Sequence, residues 1–127
     1  MSKVLIVDDE PNLRRLYRES LEGDGHEVIT AESAEDCLTR LEREPPDLVV
    51  LDVRMPGMDG LEALGKILER HPRMPVVLNS AFSSYRDNFL SWTADAYLVK
   101  SSDVGPLRST VRRLLDDPGR GAAPTHP

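Results

Sequence analysis

Five short apolar runs, separated by amphipathic stretches of helix length, constrain the fold of this chain more than any other feature. Each run contains consecutive branched residues without polar alternation, which is typical of strands buried on both faces of a sheet. Strands that alternate with helices form parallel βαβ units, so we predict an α/β, doubly wound fold with one parallel sheet covered on both faces. The runs are KVLIVD at 3–8, HEVITA at 26–31, DLVVLD at 47–52, PVVLNS at 75–80 and DAYLVK at 95–100.

The stretches that follow the five strands predict five helices. Pro11 suits the first turn of helix 1, Ser33 marks the start of helix 2, and Asp103 is the predicted cap of helix 5. Apolar residues at helical spacing mark the inner faces. These residues are Leu13, Leu16, Tyr17 and Leu21 in helix 1, Leu38 and Leu41 in helix 2, Leu61, Leu64 and Leu68 in helix 3, and Leu107, Val111, Leu114 and Leu115 in helix 5.

Predicted helix 4, at residues 84–92, is shorter and holds three aromatic residues at helical spacing, Tyr85, Phe89 and Trp92. Two interpretations are open for these aromatic side chains: packing in the core, or a surface that binds a partner. We favour core packing, which is the more common role of such a pattern.

Size and composition limit the classes of protein to which the chain can belong. Its 127 residues fit one domain, placed at residues 1–117, and the Pro-, Gly- and Ala-rich end at 118–127 is predicted to be a flexible C-terminal tail. The net charge of −6 disfavours direct binding to nucleic acid. Cys37 is the single cysteine, and the sequence shows neither a signal peptide nor a run of membrane length, so we expect no membrane contact and a cytoplasmic location.

Polar side chains end four of the five strands. Asp8, Asp9 and Glu10 follow the first strand, Asp52 ends the third, Asn79 and Ser80 the fourth, and Lys100 the fifth. The second strand ends without a charge, at Thr30 and Ala31. Ligands bind beyond the carboxyl ends of the strands in open parallel sheets, so this edge is the predicted functional site.

Carboxylates brought together at this edge repel one another unless a cation joins them. A site of carboxylate oxygens suits Mg²⁺, or Mn²⁺, whereas Zn²⁺ is disfavoured because the cysteine and the histidines are scattered along the chain. A divalent cation beside a carboxylate, a hydroxyl and a lysine is typical of phosphoryl transfer, and Asp52 is the best candidate nucleophile.

Four stretches resemble the receiver domain of bacterial two-component response regulators. They are VLIVDDE at 4–10, LVVLDVRMPGMDG at 48–60, VVLNSA at 76–81 and AYLVK at 96–100, and the resemblance extends from residue 3 to about residue 116. It implies a flavodoxin-like fold of five parallel strands in the order 2-1-3-4-5, with five helices.

The resemblance also implies a role for each residue of the predicted site. Asp52 is implied to be the phospho-acceptor, and Asp9, Asp52 and the carbonyl of Arg54 to be Mg²⁺ ligands, with Asp8 reaching the ion through water. Lys100 would pair with the phosphoryl group. Ser80 and Tyr97 would form the switch that remodels the face made by helix 4, strand 5 and helix 5.

The sequence departs from the family pattern at two positions. Ser101 follows the lysine where the family usually has a proline joined by a cis bond, and a cis bond before a residue other than proline costs about 2.5–4 kcal/mol. We therefore predict either a trans Lys100–Ser101 bond with a rerouted loop or a strained cis bond. Thr93 stands where the family often has glycine, so the turn before strand 5 is expected to differ.

Three classes of function are compatible with these patterns. The first is a signalling switch phosphorylated by a sensor histidine kinase or a phosphotransfer protein, with an unknown output protein and a possible homodimer on the helix 4, strand 5 and helix 5 face. The second is a pseudo-receiver that binds partners without phosphorylation. The third is a phosphatase, which is disfavoured because Arg54 stands where such an enzyme needs an acid. We therefore expect a phospho-acceptor that at most catalyses its own phosphorylation and slow dephosphorylation.

Overall fold

Strands and helices alternate along the chain as the sequence predicts. The structure, a computed structural model, describes residues 2–82 and 89–117. Its elements are β1 (Lys3–Val7), α1 (Pro11–Gly23), β2 (Glu27–Ala31), α2 (Ala34–Arg43), β3 (Leu48–Leu51), α3 (Gly60–Arg70), β4 (Val76–Ser80), a 3₁₀ helix (Phe89–Thr93), β5 (Ala96–Val99) and α4 (Gly105–Asp116). Within the described ranges, no helix is long and apolar enough to cross a membrane.

The five strands form one parallel sheet in the order β2-β1-β3-β4-β5, which confirms the predicted topology. Val7 at the end of β1 lies opposite both Ala31 in β2 and Leu51 in β3. Ser80 at the end of β4 lies opposite Val99 in β5. All five strands therefore end at one edge, and the residues that follow them are brought together there.

Each face of the sheet is covered by a separate layer of helices. One core cluster joins the sheet to α2 and α3 through residues such as Leu5, Leu41 and Leu64, all of them buried. The other joins the sheet to α1 and α4 through residues such as Ile6 and Leu21. Burying one such side chain contributes about 1.5–3 kcal/mol, so the two layers hold the central strands rigidly.

Helix starts follow the predicted signals closely but not everywhere. Ser33 caps α2, since its Oγ accepts a hydrogen bond of 3.0 Å from the Asp36 N–H. The predicted fifth helix is α4, and its cap is Val104 rather than Asp103. Asp103 still serves this end, because its Oδ1 accepts a 2.9 Å hydrogen bond from the Gly105 N–H.

The region of predicted helix 4 differs from the expectation where the structure describes it. Residues 83–88, with Tyr85, lie outside the described residues, as does the predicted tail at 118–127, so the described chain has four α-helices. Trp92 is 44% exposed, so its assignment to the core is wrong. Ser91 and Ala94 are the buried residues beside it, at 3% and 2% exposure. Helical spacing alone does not reveal which face of a short helix meets the sheet.

A similar error affects α1. Tyr17 and Leu21 are buried as predicted, but Leu16, assigned to the same inner face, is 37% exposed. Leu16 lies next to Tyr17 in sequence and so about a quarter of a turn away around the helix. Tyr17 and Leu21, four residues apart, follow the helical repeat that faces the sheet.

Candidate functional site

Two adjacent strands bring the acidic residues together. Asp8 follows β1 and Asp52 follows β3, and the Asp52 N–H donates a hydrogen bond of 3.0 Å to the Val7 carbonyl. One carboxylate oxygen from each of Asp8, Asp9 and Asp52 lies within 4.8 Å of the other two. Asp8 and Asp52 are only 2% and 4% exposed, whereas Asp9 faces solvent. The structure thus places two carboxylates in the protein and a third at its surface.

Lys100 reaches both buried carboxylates from the end of β5. Its Nζ lies 2.8 Å from Asp8 Oδ2 and 3.1 Å from Asp52 Oδ2. Its backbone N–H donates a 2.7 Å hydrogen bond to the Ser80 carbonyl, which fixes the chain where β4 and β5 end. No cis peptide bond occurs among the described residues, so the Lys100–Ser101 bond is trans, and the rerouted loop that was predicted with a trans bond stays a prediction.

Burial dominates the electrostatics of this cluster. It raises the pKa of Asp52 to about 6, because the nearby Lys100 ammonium offsets only part of the cost of desolvation and Asp8 adds a like charge. Burial lowers the pKa of Lys100, but hydrogen bonds and charges from Asp8 and Asp52 outweigh that effect and raise it overall. The lysine is therefore charged at neutral pH, and its single positive charge is shared by Asp8 and Asp52, with Asp9 nearby.

The loop after β3 is held tightly against Asp52. The Arg54 N–H donates a 3.3 Å hydrogen bond to Asp52 Oδ1, and the Gly60 N–H donates one of 2.6 Å to the Val53 carbonyl. A Cβ atom at Gly60 would lie 2.6 Å from Val53 Cα, so only glycine allows α3 to begin this close to the acidic residues. Gly57 has φ of +80°, a turn conformation that also favours glycine.

The two predicted switch residues meet at the backbone of Phe82. Ser80 is fully buried, and its Oγ accepts a 3.1 Å hydrogen bond from the Phe82 N–H. Tyr97 is partly buried against the core on the α2 and α3 side, and its hydroxyl donates a hydrogen bond to the Phe82 carbonyl. Tyr97 is thus linked to Ser80 through the backbone of Phe82.

Two features of the site were not predicted. Asp8 forms an ion pair with Lys100, and the Arg54 guanidinium lies 5.1 Å from the centroid of the Phe82 ring. The second contact has a signal in the sequence, because Arg54 and Phe82 each stand two residues after a site residue on neighbouring parallel strands. The first depends on the path of the chain after β5, which sequence patterns do not specify.

Comparison with known proteins identifies the family. The model of the response regulator receiver domain matches residues 4–112. The alkaline phosphatase synthesis transcriptional regulatory protein PhoP of Bacillus subtilis (strain 168) is 34% identical over 115 residues, which cover 89% of this chain and 48% of the relative. The KDP operon transcriptional regulatory protein KdpE of Escherichia coli (strain K12) is 38% identical over 117 residues, covering 91% and 52%. This chain spans about half the length of these two relatives.

Solved structures show the same fold. The response regulator protein TrrA from Thermotoga maritima, in complex with Mg²⁺–BeF, superposes with a TM-score of 0.87 at 42% identity, covering 89% of this chain and 98% of that one. TrrA in complex with the histidine kinase ThkA gives a TM-score of 0.86 at 41% identity, covering 92% and 100%. With its sheet order, its acidic cluster and these matches, the chain belongs to the response regulator receiver domain family.

Proposed function

We propose that this chain, over residues 1–117, is a phospho-accepting signalling switch in which Asp52 takes a phosphoryl group from a histidine kinase with the assistance of Mg²⁺. The observation that carries the proposal is one partly buried ammonium, that of Lys100, shared by the buried Asp8 and Asp52, with one oxygen of a third carboxylate within 4.8 Å of theirs. This arrangement keeps a nucleophile, a cation for a transferring group and metal ligands at one rigid edge of a sheet.

The donor set fits a magnesium ion. Two oxygens bound to the same Mg²⁺ lie at most about 4.2 Å apart, so carboxylates already within 4.8 Å of one another need only a small movement. Asp9, Asp52 and the carbonyl of Arg54 are the proposed ligands, with Asp8 acting through water, and Mn²⁺ would suit the same oxygens. When bound, the ion offsets the charge of the carboxylates and of the transferring phosphoryl group.

The side chains of the site suit an in-line phosphoryl transfer. An Asp52 oxygen attacks phosphorus, the bond from phosphorus to the donor nitrogen or oxygen breaks, and the electron pair of that bond leaves with the donor. Lys100 moves from its pairing with the Asp52 carboxylate to the phosphoryl oxygens, so one cation serves both states. The Ser80 hydroxyl donates a hydrogen bond to another phosphoryl oxygen.

Catalysis by this chain is proposed to stop at its own acyl phosphate. A phosphatase that turns over needs an acid to protonate the leaving group, and Arg54 stands two residues after Asp52, where its guanidinium lies over the Phe82 ring. This group cannot act as the acid. Self-phosphorylation by small donors and slow hydrolysis are therefore the expected activities.

The proposed output passes through Phe82. A phosphoryl group on Asp52 would draw the Ser80 hydroxyl toward itself as a donor, and the Oγ of that hydroxyl now accepts a hydrogen bond from the Phe82 N–H, while the Tyr97 hydroxyl donates to the carbonyl of the same residue. Moving Ser80 therefore disturbs Tyr97 and the face formed by predicted helix 4, β5 and α4. We propose this face as the contact for an output protein or a second copy, and the cytoplasm as the location of the exchange with the kinase.

Intact mass after incubation with acetyl phosphate and Mg²⁺ tests the proposal. The expected result is one added phosphoryl group in the wild type, none in Asp52→Asn, and none in the wild type with EDTA. Asp47→Asn is the matched control, because Asp47 lies at the opposite edge of the sheet, where it accepts a 2.8 Å hydrogen bond from the Lys3 N–H, and it should retain the adduct. An adduct of equal amount in Asp52→Asn would contradict the assignment.

A further inference from the structure

A buried polar pair lies on the other side of β4 from the switch serine. Tyr17 in α1 and Asn79 in β4 are only 3% and 4% exposed. The Tyr17 hydroxyl is fully buried and makes no hydrogen bond of normal geometry among the described residues, although the Asn79 side chain lies near enough to lower the pKa of the phenol. Asn79 and Ser80 are consecutive in a strand, so their side chains point to opposite faces of the sheet.

The space between this pair and the chain after β5 is a small cavity of about 30 Å³. Polar groups contribute to its wall from both sides, with Tyr17 and Asn79 on one side and Ser101 and Asp103 on the other. A cavity of this size admits one water molecule, and an ordered buried water needs two to four polar partners. This lining provides them.

An unpaired hydroxyl in a protein interior is costly, by about 1–3 kcal/mol. A phenylalanine at residue 17 would avoid that cost at the same volume. Burial raises the pKa of the Tyr17 phenol, and the Asn79 side chain and the Lys100 ammonium offset only part of the rise. The hydroxyl is therefore protonated at neutral pH and available as a donor to a molecule in the cavity.

The cavity adjoins the backbone of two residues with proposed roles in phosphoryl transfer. Val99 and Ser101, the neighbours of Lys100 in the chain, both line it. Asn79 immediately precedes Ser80, whose carbonyl accepts the 2.7 Å hydrogen bond from the Lys100 N–H. The wall of the cavity thus includes the residues on both sides of Lys100 in the chain.

The turn after Lys100 is held by two short-range hydrogen bonds and by the packing of Val104 against the core on the α1 and α4 side. The Ser101 Oγ accepts a 3.1 Å hydrogen bond from the Asp103 N–H, and Asp103 Oδ1 accepts one of 2.9 Å from the Gly105 N–H. Both bonds lie within the turn and do not join it to the sheet. A water molecule in the cavity would join the turn to α1 and β4.

We propose that Tyr17 and Asn79 are positioning residues for phosphoryl transfer, which hold the turn after Lys100, and with it the Lys100 ammonium, through one water molecule bound in this cavity. This inference rests on the proposed function of Asp52 and Lys100. It assigns the pair a role beyond core packing, because displacement of Lys100 by a fraction of an ångström weakens its contact with the phosphoryl group.

The test compares Tyr17→Phe with the wild type in phosphorylation by acetyl phosphate under saturating Mg²⁺. Loss of one water-mediated hydrogen bond should lower the maximal rate about fivefold, with the half-saturating donor concentration unchanged. Asn79→Ala should slow the reaction similarly, and the double variant should be no slower than either single variant. Ser20→Ala, which removes a hydroxyl from the same helix, is the control and should react at the wild-type rate.

A second readout does not depend on phosphorylation. A high-resolution crystal structure should show an ordered water within hydrogen-bond distance of the Tyr17 hydroxyl in the wild type, and none there in Tyr17→Phe. A dry cavity, or a Tyr17→Phe variant that is altered in thermal stability but reacts at the wild-type rate, would overturn the inference. A wild type that takes no phosphoryl group would instead defeat the proposed function itself.

Discussion

The two edges of the sheet each place one lysine between two carboxylates, with opposite consequences. At the amino-terminal edge, Lys3 Nζ lies 3.0 Å from Glu44 and 3.4 Å from Glu27. At the carboxyl-terminal edge, Lys100 Nζ lies 2.8 Å from Asp8 and 3.1 Å from Asp52. The distances from the lysine to its carboxylates are nearly the same in the two clusters, and each cluster pairs one ammonium with two carboxylates.

Burial separates the two clusters. The carboxylate side chains paired with Lys3 are 53% and 43% exposed, whereas those paired with Lys100 are 2% and 5% exposed. Water stabilises the charges at the first edge, so the cluster around Lys3 needs no further cation. At the second edge, burial raises the pKa of Asp52 to about 6, and the carboxylates carry more negative charge than Lys100 alone offsets, which a divalent cation would reduce. The comparison teaches that exposure, rather than charge content, distinguishes the cluster of the proposed phospho-acceptor from the cluster around Lys3.

The largest expected effect on stability comes from removing Lys100, and removing Lys3 is the matched comparison. Lys100→Met leaves two buried carboxylates without a cation, so we expect it to lower the free energy of unfolding by about 3–5 kcal/mol. Lys3→Met should change stability far less, because its partners remain solvated. Urea unfolding at pH 7.5 in EDTA measures both variants. Equal losses of unfolding free energy in the two variants would contradict the conclusion that burial distinguishes the two clusters.

The pH dependence of stability is the next effect in size. The pKa of Asp52 rises on folding from its ordinary value of 3.8 to about 6, so the folded state binds the extra proton between these values. The contribution of Asp52 to stability should therefore fall by about 3 kcal/mol as pH rises from about 4 to about 6, and then stay level. Asp52→Asn should lack this fall and be more stable than the wild type above pH 6.

Glu44→Gln is the matched control for that experiment. It removes an exposed carboxylate from the cluster around Lys3 and should leave the fall between pH 4 and pH 6 intact. Thermal unfolding of the three proteins in metal-free buffer gives the curves. An Asp52→Asn variant that loses stability with pH as steeply as the wild type would contradict the role of burial.

Metal binding should stabilise one edge of the sheet and not the other. At a Mg²⁺ concentration one hundred times the dissociation constant, the wild type should gain about 2.7 kcal/mol. Asp9→Asn and Asp52→Asn should lose most of this gain, while Glu44→Gln should retain it. Differential scanning calorimetry with and without Mg²⁺ measures the shifts. If Asp52→Asn gains as much stability from Mg²⁺ as the wild type, the metal binds at a site other than the one proposed.

Salt has the smallest expected effect and separates the clusters by screening. Raising NaCl from about 0.05 to about 0.5 M should remove most of the stability difference between the wild type and Lys3→Met, because exposed charges are screened. The difference between the wild type and Lys100→Met should persist, since ions do not enter a buried pair. Paired urea titrations at the two salt concentrations test this. If salt reduces the two stability differences equally, burial does not distinguish the two clusters.

The sequence predicted the fold well where hydrophobic pattern and topology act together. Runs such as 47–52 are apolar on both faces, so they identify central strands, and parallel strands necessarily end at one edge. Asp8, Asp52 and Lys100 therefore lie together at one edge as expected, although the ion pair of Asp8 with Lys100 was not predicted. The roles assigned to these residues remain predictions, to be tested by the experiments above.

The features that escaped prediction depend on side-chain geometry and exposure. Leu16 and Trp92 follow helical spacing yet face solvent, because spacing does not fix the rotation of a helix against the sheet. Tyr17 was correctly placed in the core, but its unpaired hydroxyl is visible only once Asn79 and the chain after β5 surround it. The choice of a trans bond after Lys100 likewise required the folded chain.

Borohydride trapping tests the central claim most directly. Borohydride reduces the acyl phosphate of an aspartate to homoserine, and tandem mass spectrometry then locates that residue in the sequence. After incubation with acetyl phosphate and Mg²⁺, the account predicts homoserine at position 52 and at no other carboxylate. Homoserine at position 8, 9 or 47, or an added phosphoryl group that leaves position 52 unchanged, would contradict it.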